Sequence, residues 1–159
     1  MALARTRILI GRGLAALERA NALGGPRGPY VLQAEITACH ARAHAAPETD
    51  WNRIAALYGE LGALLGSPVV ELNRAVAISM AEGPEAALAI VEELAKDPTL
   101  RNYHLLPSAR ADFLAKLGRW REAQTEFEKA AALTRNVRHR ERLLERAAEC
   151  EGESKRVDS

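Results

Sequence analysis

The sequence predicts an all-α protein built from antiparallel helix pairs. Alanine (31 residues) and leucine (21) far outnumber valine (7) and isoleucine (6) in the 159-residue chain, and aromatic residues make up only 4%. Strands favour β-branched and aromatic residues, so this composition argues against a β-sandwich or barrel. The seven prolines also fall near the ends of periodic segments, as they do when the intervening segments are helices.

Length, charge and cysteine usage narrow the class further. We expect a single domain over residues 1–150 and a polar, disordered tail over 151–159. The formal net charge of +1 provides no overall field that would favour nucleic acid or an acidic membrane. The two cysteines form no CxxC motif, no stretch has the length and hydropathy of a membrane span, and the N-terminus lacks the order of a signal peptide. A cytoplasmic location is therefore expected.

Start and stop signals divide the chain into eight helices, of which the first four precede residue 83. Pro29 and Pro68 suit the first position of a helix, because proline lacks the N–H that would be unpaired there. Asp50 is a suitable N-cap, and Gly66 is a suitable stop. These signals predict helices over residues 2–23, 29–46, 51–65 and 68–82.

Proline and glycine also mark the helix ends in the second half. The fifth helix begins at Pro84 and ends before Pro98, and the sixth carries Pro107 in its first turn. A glycine makes a tight turn after the fourth helix and another after the sixth, so each of these helices is paired with its successor. Asn136 is a suitable N-cap for the eighth helix, which we expect to end after Cys150, where the polar tail begins.

The second-half helix pairs repeat with a regular period. Gly83 and Gly118, the glycines of the two tight turns, are 35 residues apart, close to the 34-residue tetratricopeptide (TPR) unit of two antiparallel helices. After the second turn, Ala123, Phe127 and Ala130 match the TPR pattern of small residues where helices approach and an aromatic residue between units. The first unit matches less well. We predict that the pairs stack as a TPR-like right-handed superhelix.

Catalytic signatures are missing from the sequence. It contains no nucleophile elbow, phosphate-binding glycine loop or HExxH motif, so we predict a protein that is not an enzyme and needs no cofactor. His40 and His44 lie four residues apart on one helix face, a spacing that can hold a metal. No third ligand is near in sequence, so we predict no metal site, and a histidine-based metal enzyme is the least favoured alternative.

A basic segment lies near the C-terminus. Such a run could touch nucleic acid or an acidic partner. Glutamates interleave with it and aromatic residues for base stacking are missing, so we interpret it as a solvated helix face. The segment comprises Arg135, Arg138, His139, Arg140, Arg142 and Arg146.

Polar residues inside the predicted helices form the candidate partner-binding site. In a TPR stack, Asn73 lies where the units line their groove, and Asp112 and Lys116 take similar positions in the next unit. The alternative is that such residues hydrogen-bond to neighbouring helices and fix the stack. The full candidate set is Asn73, Arg74, Tyr103, His104, Arg110, Asp112 and Lys116.

Several motifs resemble a known family, and the resemblance covers the chain from about residue 8 to 148. They are GPYVLQA (28–34), TDW (49–51), SPVVELNRAVA (67–77), YHLLP (103–107), RAD (110–112), LGR (117–119) and LTRN (133–136). Together they resemble the C-terminal extension of one group of extracytoplasmic-function (ECF) sigma factors, those with a TPR-like tail. Residues 9–13 (LIGRG) depart from the family, whose members usually have an acidic residue before the second glycine.

The resemblance implies a bacterial, cytoplasmic, non-enzymatic regulator of transcription initiation. In that family, two helical modules that recognise the promoter precede the extension, and neither is present in this sequence. The implied partners are the factor's own sigma modules, the RNA polymerase core or a signalling protein. We expect no sequence-specific DNA binding by this fragment itself and no membrane contact. The alternative is a free-standing TPR-like adaptor that binds a peptide or protein.

Overall fold

The computed structural model describes residues 15, 17, 19, 22, 27–42 and 49–157. This part of the chain contains seven delimited α-helices, one short 3₁₀ helix and no strand, which confirms the all-α prediction for it. The helices are α1 (Pro29–Arg42), α2 (Trp51–Leu65), α3 (Pro68–Ala81), α4 (Pro84–Leu94), α5 (Leu105–Lys116), α6 (Trp120–Leu133) and α7 (Val137–Val157).

Local hydrogen bonds explain several of the predicted helix ends. The Asp50 carboxylate accepts a hydrogen bond of 2.9 Å from the Arg53 N–H at the start of α2. Gly66 ends α2 with a left-handed backbone (φ 59°), and its N–H donates to a carbonyl one turn earlier. The Asn136 side chain accepts a 3.0 Å hydrogen bond from the His139 N–H at the start of α7. The capping roles predicted for these three residues are confirmed.

Prolines open three of the helices, as predicted. Pro29, Pro68 and Pro84 are the first residues of α1, α3 and α4. Ser67 precedes α3 with an extended backbone, but its side chain makes no capping hydrogen bond. Gly83 forms the turn between α3 and α4 with a φ of 111°, a backbone conformation that favours glycine.

Two of the predicted segments fall wholly or partly outside the described residues. The helix predicted over 2–23 is described only at residues 15, 17, 19 and 22, which are helical. The predicted end of the second helix, beyond Arg42, is also not described. In addition, a 3₁₀ helix (Pro98–Leu100) follows α4 where the sequence predicted only a break.

The last helix is longer than expected. It continues to Val157, so the expectation of a disordered tail is corrected for residues 151–157. The added turns carry intrahelical ion pairs between Glu151 and Lys155 and between Glu153 and Arg156. Such pairs support a helix even where its side chains are polar, and the two cations also suit the helix C-terminus.

Two clusters of buried side chains hold the helices together, and each helix packs against the next one in the chain. The smaller cluster joins α1, α2 and α3, and the larger one extends from α3 to α7. Helix α3 connects them, since Leu72 belongs to the larger cluster and Ala77 to the smaller. Ala123 and Ala130, which were expected at close helix contacts, are fully buried, and so are Ala75 and Ala87.

Candidate functional site

We use the name α3–α5–α7 face for six residues of three helices: Asn73, Val76 and Met80 of α3, Asp112 and Lys116 of α5, and Arg146 of α7. Lys116 connects α5 to α3, because its Nζ donates to Ser79 Oγ at 3.3 Å. Asp112 connects α5 to α7 through an ion pair with Arg146. Asp112 and Lys116 are four residues apart and therefore share one side of α5. That Asn73 lines one groove together with Asp112 and Lys116 stays a prediction from the sequence.

The two candidates on α3 have different surroundings. Asn73 is exposed, as are Val76 and Met80, one and two turns further along the same helix. Arg74 instead packs toward α2: a Cβ atom added at Gly59 would lie 3.7 Å from Arg74 Nε. Its guanidinium also donates to the Glu71 carboxylate of its own helix. Asn73 therefore belongs to the α3–α5–α7 face and Arg74 does not.

Arg110 lies on the other side of α5 from Asp112. Its Nη1 donates to Glu126 Oε1 of α6 at 2.9 Å, and its Nη2 lies 3.6 Å from a Glu92 oxygen of α4. Positions two apart on a helix point about 200° apart, which explains the separation. The Glu126 carboxylate is nearly buried. Arg110 therefore joins three helices, which supports the alternative that some candidates fix the stack.

Tyr103 and His104 lie immediately before α5. The His104 ring meets the His139 ring of α7 edge to face, with centroids 5.1 Å apart. Burial, and secondarily the nearby His139, hold the pKa of His104 below its usual value. The imidazole of His104 is therefore mainly neutral at pH 7. Tyr103 packs against the larger core cluster, and its ring centroid lies 6.1 Å from that of His104.

A cleft of about 410 Å³ opens between α5 and α7 beside this histidine pair. Phe127 and Leu143 lie at its apolar base. Its walls are strongly basic, and the lining residues with polar or charged groups are Ser108, Asp112, Asn136, Arg138, His139, Arg142 and Arg146. The cleft includes the Asp112–Arg146 pair and so adjoins the α3–α5–α7 face.

Sequence reasoning noted the basic segment but did not assign it to a site. The missed signal is the spacing of Arg138, Arg142 and Arg146, which recur every four residues and therefore form one stripe along α7. Which way the stripe faces depends on how α7 packs against α6, and local patterns do not fix that packing. Val76 and Met80 were missed because apolar residues in a helix are usually interpreted as core.

The proposed histidine pair has only one described member. His40 is exposed on α1, and its ring packs edge to face on Trp51 with centroids 5.4 Å apart. His44 lies outside the described residues. Among the residues that are described, no three His, Cys, Asp or Glu side chains group as metal ligands. In the same part of the chain, no helix combines the length and hydropathy that crossing a membrane requires.

Comparisons with known proteins identify one similar protein and no family. The chain is 47% identical over 132 residues to an uncharacterized protein of Rhizobium meliloti (strain 1021). The match covers 83% of this chain but only 30% of that protein. The chain therefore spans less than a third of the length of the relative that it matches. No protein-family model matches the chain, and no solved structure is significantly similar to it.

Proposed function

We propose that this chain is the regulatory protein-interaction domain of a bacterial, cytoplasmic ECF sigma factor. The observation that carries the proposal is the α3–α5–α7 face, in which Lys116 and Asp112 of α5 connect α3 to α7 and exposed Met80 lies beside Lys116. Rigid helices that present adjacent polar and apolar groups are suited to contact another protein. The motifs that resemble the C-terminal extension of ECF sigma factors support the assignment of that surface to this class of protein.

A TPR-like stack is part of the proposal. Helices α3 and α4 form one pair and α5 and α6 a second, and each pair is joined at a glycine with positive φ, Gly83 (111°) or Gly118 (74°). The hydrogen bond from Lys116 to Ser79 joins the first helices of the two pairs. This common layout is what stacked repeats require, since each unit packs on its neighbour and leaves its first helix on a shared surface.

The domain would act through contact rather than catalysis. By binding the sigma modules of its own chain, the polymerase core or a signalling protein, it would change how readily the factor initiates transcription. The similar Rhizobium protein is much longer than this chain, which leaves room in that protein for additional domains. A free-standing adaptor would use the same face for a peptide of another protein. A reading frame that continues upstream into sigma modules would support the sigma-factor domain over the free-standing adaptor.

The proposal is tested by placing a charge on the α3–α5–α7 face of the full-length factor. Val76→Glu should reduce transcription in vitro from the factor's own promoter by about tenfold or more, because a carboxylate would be desolvated at the contact surface. Val76 is 41% exposed, so the folded domain itself should tolerate the change. Asn73→Ala should also reduce transcription, but by less.

The matched control is Leu144→Glu. Leu144 is 47% exposed on α7 but lies about 200° around that helix from Arg142, away from the cleft. Its replacement should leave transcription unchanged. Equal activity of Val76→Glu and the unmodified factor, with both proteins equally helical by circular dichroism, would contradict the proposal.

A further inference from the structure

We propose that the cleft between α5 and α7 binds an acidic segment of a partner protein through the carboxylates of that segment. This assignment rests on the proposed interaction function and specifies the chemistry of the partner. It rests on the positions of Arg138, Arg142 and Arg146, on the ion pair between Asp112 and Arg146, and on the buried ring of Phe127.

The first observation is the arginine stripe. Arg138, Arg142 and Arg146 all line the cleft and are all exposed. Successive members are about 6 Å apart along α7, so the stripe extends about 12 Å. Within residues 27–42 and 49–157, neither Arg138 nor Arg142 forms an ion pair. Two guanidinium groups are thus available to carboxylates that repeat at one-turn intervals along a helical partner segment.

The second observation is that the cleft already holds a carboxylate. Arg146 donates to Asp112, and its guanidinium carbon lies 4.5 Å from the centroid of the Phe127 ring. This stacking and the ion pair hold the guanidinium across the cleft, in an orientation that suits an acidic group. The Asp112 carboxylate of the chain itself therefore occupies the position beside Arg146 that a partner carboxylate would otherwise fill.

Nucleic acid fits the same residues less well. Bases bound in single strands need exposed rings for stacking, whereas Phe127 is fully buried and covered by Arg146. A phosphate backbone needs an extended basic surface, but Glu141 and Glu145 follow the arginine stripe along α7 and the whole chain has a net charge of +1. A short protein segment with a few carboxylates matches a cleft of this size better.

The binding test uses the full chain and a designed probe. The probe is a fluorescent helical peptide of about 12 residues with glutamates at three positions four apart, and its control carries glutamine at those positions. Fluorescence anisotropy at physiological ionic strength should show that the glutamate peptide binds about tenfold more tightly or better, since charge-assisted hydrogen bonds to arginine are lost with glutamine.

Variants of the chain assign the binding to the cleft. Arg138→Gln/Arg142→Gln should weaken binding of the glutamate peptide by about tenfold or more. The matched control, Lys155→Gln/Arg156→Gln, removes the same charge from the far end of α7 and should change affinity by less than about twofold. Arg138→Gln/Arg142→Gln alters exposed side chains that form no ion pair within the described part of the chain, so circular dichroism should show unchanged helicity. The control removes the ion pairs to Glu151 and Glu153, so any loss of its helicity should be confined to the last turns of α7, far from the cleft.

Asp112→Asn provides the sharpest expectation. It removes the internal carboxylate that competes for Arg146, so the glutamate peptide should bind several-fold more tightly. A residue that contacts the partner favourably, or one that only maintains the fold, would show the opposite effect or none.

Several results would overturn the assignment. These are equal binding of the glutamate and glutamine peptides, unchanged affinity in Arg138→Gln/Arg142→Gln, unchanged or weaker binding in Asp112→Asn, or no saturable binding at about 1 mM peptide. If the chain binds a DNA duplex of about 20 base pairs more tightly than it binds the glutamate peptide, the cleft is assigned to nucleic acid instead. If these tests fail while Val76→Glu still impairs transcription, the acidic-segment assignment falls and the proposed function stands.

Discussion

Replacing Phe127 with alanine is expected to lower the free energy of unfolding by about 3–5 kcal/mol. Phe127 is among the largest fully buried side chains of the described chain and belongs to the cluster that extends from α3 to α7. Its removal loses the burial of an aromatic ring and leaves a cavity that fully buried Ala123 and Ala130 are too small to fill. Arg146 also loses the ring on which it stacks.

Urea unfolding followed by circular dichroism measures this loss. Val137→Ala serves as the control, because Val137 is 62% exposed and its truncation should change stability by no more than about 0.5 kcal/mol. A loss below about 1 kcal/mol for Phe127→Ala would mean that the helices from α3 to α7 do not share the core described above.

Replacing Arg110 with methionine is expected to lower the free energy of unfolding by about 2–3 kcal/mol. Methionine keeps the apolar stem but leaves Glu126, only 8% exposed, without the guanidinium 2.9 Å away. Lys129 lies 3.8 Å from the same carboxylate and is largely exposed, so it compensates only in part. Asn73→Ala, by contrast, should change stability by no more than about 0.5 kcal/mol.

A double replacement isolates the cause. Arg110→Met/Glu126→Leu removes both charges, so it should recover most of the stability lost in Arg110→Met, because two apolar groups leave no buried carboxylate unpaired. Thermal or urea unfolding of the four proteins completes the cycle. If Arg110→Met is as stable as the unmodified chain, Arg110 does not fix the stack and returns to the candidate partner contacts.

The helix boundaries could be predicted because their causes are local. Asp50 and Asn136 cap the helices that they precede, and Pro84 opens the helix that it begins, through contacts within three residues. The same holds for Gly66, whose left-handed backbone ends α2. The extension of α7 to Val157 was missed, since weak intrahelical pairs such as Glu151–Lys155 were not weighed against the polar composition.

The candidate site could be predicted only in part, because it depends on how helices rotate against one another. Asp112 and Lys116 share a side of α5 by simple periodicity. Whether Arg110 faces a groove or a neighbouring helix is decided by the position of Glu126 on α6, which the sequence does not reveal. The arginine stripe that contains Arg142 could be predicted only in part for the same reason. Its spacing is visible in the sequence, but the opposing wall of the cleft belongs to α5.

The central claim, that this chain is the interaction domain of a sigma factor, predicts sigma modules upstream of it in the same reading frame. It is tested most directly by isothermal titration calorimetry of the chain with those modules and, separately, with the polymerase core. We expect saturable binding to at least one of the two, abolished by Val76→Glu and retained by Leu144→Glu. A reading frame with no sigma modules upstream would contradict the claim, and absence of binding to both would exclude every partner named above except a signalling protein.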